Sequence, residues 1–167
     1  MFANYLRCDI VWFVTTRELI EDAFADVSYP GDDNIADHQH CPECDDVRAF
    51  FRGKSWRGLR FPELHYYHES LPLLTLDALH YFLPGYMIAT LENWDQADMI
   101  SYGIIAIGGY PGDAQKVKNQ AREKRKIFSV KQREAIAEWL RELSKFGSEE
   151  LRDNEDIKYA AKLILED

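Results

Sequence analysis

The chain has 167 residues, 46% of them hydrophobic and 29% charged, with a formal net charge of −9 and three cysteines. That length supports one well-filled core and argues against two domains, and the balance of apolar and charged residues is that of a globular protein. The acidic excess disfavours a nucleic-acid partner, three cysteines make no disulfide framework, and the apolar run at residues 10–14 is too short for a membrane span or a signal-peptide core, so a cytoplasmic protein is expected.

Residues 1–14 fit either a short strand at 10–14 or an extension of the first helix. Thr15 or Thr16 then caps a helix whose apolar positions Leu19/Ile20, Ala23/Phe24 and Val27 recur at helical spacing. Tyr29-Pro30-Gly31-Asp32-Asp33-Asn34 reads as a turn, since proline presets one dihedral while glycine and asparagine tolerate the others. A second helix begins near Pro42, runs through Val47, Phe50 and Phe51 and stops at Gly53. Its acids Glu43, Asp45 and Asp46 lie in the first turn, where the helix dipole favours them.

The start of that helix carries the densest chemistry, His38-Gln39-His40-Cys41-Pro42-Glu43-Cys44. Thiols three positions apart, with imidazoles just before them, match the spacing of half a zinc site. His40, Cys41 and Cys44 are the expected ligands, with His68 as the fourth, and the expected role is structural. Ordinary burial of the two cysteines is the competing reading. Redox chemistry is weaker, because no strand pattern leads into this turn. The order of His, Glu, Pro and Cys found in zinc deaminases is absent.

Phe61-Pro62-Glu63-Leu64 opens a further helix, and His65 and His68, three apart, share a face. Thr75 caps the expected central helix over 76–91. Leu76, Leu79, Leu83, Met87 and Leu91 form its stripe, and Pro84 is expected to kink it. Residues 95–107 continue as a helix ended by Gly108-Gly109. Residues 108–128 read as a basic connecting loop, with six bases against two acids between Asp113 and Lys126. Ser129-x-x-Gln132 is a capping box for a helix burying Ile136, Trp139, Leu140, Leu143 and Phe146, and a last helix covers about 153–165. The expected fold is therefore an all-α, single-domain helical bundle.

Several of these pieces, taken together and in order, resemble a family of small bacterial proteins known as a domain of unknown function. They are Tyr29-Pro30-Gly31-Asp32-Asp33-Asn34-Ile35, His40-Cys41-x-x-Cys44, Phe51-Arg52-Gly53-Lys54-x-Trp56, Ser70-Leu71-Pro72-Leu73-Leu74-Thr75, Tyr81-Phe82-Leu83-Pro84 and Ser129-x-x-Gln132. The resemblance covers roughly residues 17–146 and leaves residues 1–14, the basic stretch and the last helix outside it. It implies no activity.

Two functional classes remain. Between residues 18 and 46 there are ten acids and no lysine or arginine. Such a face repels nucleic acid and speeds encounter with a basic partner. The first class is thus a binding protein, an immunity protein or antitoxin that neutralises a basic toxin through Asp32, Asp33, Asp37, Asp45 and Asp46. A merely solvated, solubilising face is the plain alternative. The second class is a metal-dependent hydrolase or transferase using the His, Cys and Asp residues of 32–44. No catalytic pair with defined spacing supports it, so binding is the preferred expectation.

Overall fold

Thr15 starts the first helix, and it does so through a full capping box. Its hydroxyl accepts from the Glu18 backbone N–H, and the Glu18 carboxylate accepts from the Thr15 N–H. The structure, a computed structural model, describes residues 14–37 and 41–166, so the strand-or-helix question at 1–13 lies outside it. The fold is all-α. In chain order the helices are α1 (Thr16–Ala23), α2 (Pro42–Phe51), α3 (Phe61–Tyr66), α4 (Leu76–Thr90), α5 (Asp98–Gly108), α6 (Gln115–Arg125), α7 (Val130–Phe146) and α8 (Glu155–Glu166). Short 3-10 turns at Trp56–Gly58, His68–Leu73 and Trp94–Gln96 join them.

The central helix is α4. Ten of its 15 residues are buried, which is why it reads as apolar nearly all round. It runs unbroken through Pro84. At the next residue, a Cβ on Gly85 would stand 2.7 Å from the Trp56 carbonyl oxygen, so only glycine lets the Trp56–Gly58 turn lie this close. Leu76, expected in the buried stripe, is 45% exposed, although Thr75, Ala78 and Leu79 around it are buried.

Around α4, helix α1 packs on α4 and α7, α7 packs on α8, and α8 in turn packs on α5. Trp139 of α7 ties this layer to α4: its indole N–H donates to the Met87 carbonyl and to Thr90 Oγ1, each at 3.0 Å. Phe146 departs from expectation, being 59% exposed at the last position of α7. Leu151, from the following turn, takes the buried place against Gly147 and Leu143.

The expected loop at 108–128 is corrected in its middle. Gln115–Arg125 is helix α6, with only Ala121 and Arg125 buried. Gln, Lys, Arg, Ala and Glu are good helix formers, but the segment has no apolar stripe, so periodicity was silent where propensity was strong. The helix is anchored where the Arg125 guanidinium donates to the Gly108 carbonyl at 3.0 Å.

Candidate functional site

The acidic turn at 29–37 is held from both sides. Gly31 adopts φ +92°, and the Asn34 N–H closes the turn on the Gly31 carbonyl. The Tyr29 hydroxyl donates to Asp32 Oδ1 at 2.7 Å and accepts from the Gly53 N–H at 2.8 Å, joining the turn to the end of α2. Partial burial beside the Asp32 carboxylate raises the Tyr29 phenol above its ordinary value. Asn34 donates to Asp77 Oδ2, Thr75 Oγ1 donates to the Asn34 carbonyl, and Ala36 bridges Leu74. These bonds fix the turn against the start of α4, and Ile35 is buried beneath it.

The five acids expected to bind a partner do not have equal surroundings. Arg52 faces Asp32 and Asp33 at 4.0 and 3.8 Å, and Arg48 pairs with Asp45 on the same helix. Asp37 and Asp46 are exposed, with Asp37 N–H bonded to the Leu73 carbonyl. Among the described residues, the bases that meet the acidic stretch come from α2 and its end, from Lys131 of α7 on Asp22 at 2.6 Å and from Arg17 of α1 on Glu21 at 3.9 Å. Such exposed pairs contribute little stability, and they leave the face net negative.

Beside α2 lies a pocket of about 260 Å³ whose lining includes Glu43, Asp46, Tyr66, Tyr67, His68 and Glu69, and no lysine or arginine. Tyr66 is 79% exposed, an aromatic ring at the rim of an acidic pocket. Tyr67 is rigid by contrast, stacked on Phe50 at 4.1 Å between ring centroids. Behind it, Ser70 Oγ donates to the Tyr67 carbonyl at 2.6 Å and meets the buried Tyr86 hydroxyl. His68 Nδ1 donates to the His65 carbonyl at 2.8 Å, so its Nε2 is the free acceptor when the ring is neutral, 3.7 Å from Glu69 Oε1. The sequence signalled Glu43 and Asp46 here, but not Glu69 or the tyrosines that complete the pocket.

A family model matches residues 15–163, and its description is a family of unknown function (DUF6714). The chain belongs to this family. The match runs through α6 and most of α8, segments that the motif resemblance had left outside. No curated protein and no solved structure matches the chain.

The family-like His-Cys-x-x-Cys stretch opens α2. Cys41 is the N-cap, half-buried, and Cys44 is fully buried in the core. His40 lies outside the described residues. Among the described residues, no group of three or more His, Cys, Asp and Glu side chains is arranged to hold a metal, so His68 does not join the two cysteines in such a group.

A second cleft, of about 570 Å³, opens between the end of α1, the acidic turn and α4, lined in part by Asp26, Tyr29, Asp77, His80, Ser129 and Gln132. Gln132 Oε1 accepts from the Ser129 N–H at 2.9 Å as the capping box requires, and His80 Nε2 lies 2.9 Å from the same oxygen. His80 must therefore donate through Nε2, which leaves Nδ1 as acceptor in the neutral ring. Phe24 and Phe128 contact that ring edge-on. The capping box was legible from the sequence; its bond to a histidine 52 positions away was not.

Proposed function

We propose that this protein acts by binding a basic segment of another protein in the bacterial cytoplasm, as an immunity protein or antitoxin occupies a toxin. The observation that carries the reading is the pocket beside α2, whose lining brings Glu43, Asp46 and Glu69 together with Tyr66, Tyr67 and His68 and includes no lysine or arginine. A lysine or arginine side chain fits that chemistry: the carboxylates complement its charge, the aromatic faces accept its stem and cation, and guanidinium in particular loses little hydration on entry. Exposed tyrosine beside a charged rim is also the composition of an interface anchor. The acidic turn with Asp32, Asp33 and Asp37 extends the same sign of charge and serves to steer encounter. Among the described residues no helix is long and apolar enough to cross a membrane.

The test is capture of a partner from host lysate by wild type and by three variants: Asp32→Lys/Asp33→Lys/Asp37→Lys, Glu43→Lys/Asp46→Lys, and Tyr66→Ala, each first checked for native helicity by circular dichroism. The turn variant is expected to slow association and lose its salt dependence. The pocket variants are expected to weaken binding by about tenfold or more, near 1.4 kcal/mol. Capture unchanged in all three sinks the reading.

A further inference from the structure

At the N-terminus of α2 the two thiols differ in access: Cys44 is fully buried, and Cys41 is half-buried against the same core. Cys44 sits in the core, whereas Cys41 is half-buried at a position where Ser, Thr, Asp or Asn would cap the helix, and its side chain makes no capping bond. The turn is formed all the same. The Asp45 N–H reaches the Cys41 carbonyl at 3.0 Å, and Pro42 occupies the first helical position. Helix geometry puts the Cα atoms of an N-cap residue and the residue three on about 5 Å apart, within the roughly 4.4–6.8 Å that a disulfide spans.

We propose that Cys41 and Cys44 form a reversible dithiol–disulfide pair that exchanges with low-molecular-weight disulfides, Cys41 as the outer, attacking thiol and Cys44 as the inner, resolving one. The Cys41 thiolate attacks one sulfur of R–S–S–R; that bond breaks, and the first RS⁻ leaves and takes up the Cys41 proton as RSH. The Cys44 thiolate then attacks Cys41 Sγ in the mixed disulfide and expels the second RS⁻, which takes the Cys44 proton. Two electrons pass from the pair to R–S–S–R, giving one protein disulfide and two RSH. Glu43 and Asp45 lie in the first turn of α2, Asp45 paired with Arg48, and the stretch of residues 18–46 carries ten acids and no lysine or arginine, so a cationic disulfide approaches this end of the helix faster than an anionic one. This inference stands apart from the partner-binding reading, since it needs only the local turn.

The full chain, reduced and then exposed to cystamine or to glutathione disulfide, tests it. Peptide mapping is expected to find a Cys41–Cys44 link that dithiothreitol reverses, formed several-fold faster with cystamine, the difference shrinking as salt is added. In Cys44→Ser the mixed disulfide on Cys41 is expected to accumulate, and in Cys41→Ser the core thiol stays unreacted until the chain is unfolded. A link to Cys8, a mixed disulfide that persists in the wild type, or zinc released in step with thiol loss would each overturn the proposal, the last making the pair a metal clip. Should Cys44→Ser fail to fold, the wild-type peptide map and the release of metal still decide.

Discussion

At Tyr86 the core holds a hydroxyl where phenylalanine would pack as well. The ring is fully buried against Phe51, and the hydroxyl is bonded to Ser70, which in turn donates to the Tyr67 carbonyl that fronts the acidic pocket. Burial pushes this phenol well above its ordinary value of 10.0, and the Ser70 bond offsets only part of that shift. A raised folded-state value means that the stabilisation is fully present below the ordinary value and is lost as pH rises above it, at up to about 1.4 kcal/mol per pH unit. Wild type is therefore expected to lose stability above pH 10.0, while Tyr86→Phe flattens that limb and costs about 1 kcal/mol at neutral pH. Urea midpoints between neutral and alkaline pH check both; an unchanged alkaline limb in the variant counts against the assignment. The same residue shows the limit of pattern reading. Its place inside the helix expected over 76–91 is legible in the sequence, but the partner of its hydroxyl comes from a turn sixteen positions earlier.

Elements whose ends carry their own chemistry were the readable ones. The capping boxes at Thr15/Glu18 and Ser129/Gln132 are written in four adjacent residues, and both form. For α1, Thr15→Ala is expected to cost about 1 kcal/mol. The Glu18 carboxyl is held below its ordinary value of 4.5, first by the Thr15 backbone N–H and then by its hydroxyl. A lowered folded-state value contributes stability above the ordinary one that is lost as pH falls through the folded one. Replacing Thr15 keeps the backbone bond, so thermal melts from neutral to acid are expected to show a lower melting temperature at neutral pH and a slightly shallower acid decline. A steeper decline would contradict the capping geometry. Helix α6 was unreadable for the opposite reason, since Gln115–Arg125 buries two residues and leaves no apolar face to find.

At the scale of the whole molecule, α5 and α8 pack closely. A Cβ on Gly108 would stand 2.6 Å from Ala160 Cβ and 2.7 Å from its Cα, so glycine at this point lets the two helices touch. Gly108→Ala is expected to destabilise by about 1–3 kcal/mol through overpacking. Ala160→Gly removes the nearest atom but leaves the backbone contact, so the double variant is expected to recover only part of the loss, a coupling that a double-mutant cycle in urea measures. Full additivity would mean that the helices part instead of clashing. The charge pattern also acquires meaning only at this scale. A run of acids without bases becomes a surface on which Arg52 faces two of them and Arg48 a third, while Asp46 joins Glu43 and Glu69 around a pocket.

By itself the sequence determined that this chain is helical and where most of its helices begin, and it placed its densest run of acids, histidines and cysteines at residues 29–46. Those properties are local: a cap, a 3.6-residue stripe, a proline at a first turn and a run of one charge are set by neighbours a few positions away. Tertiary structure alone decided that Tyr66 and Tyr67 complete an acidic pocket, that Gln132 holds His80 by one nitrogen, that Arg125 anchors α6 and that Leu151 takes the buried place beside Gly147 instead of Phe146. Each of these joins groups far apart in the chain or on different elements, and it depends on distances that appear only once the helices have packed.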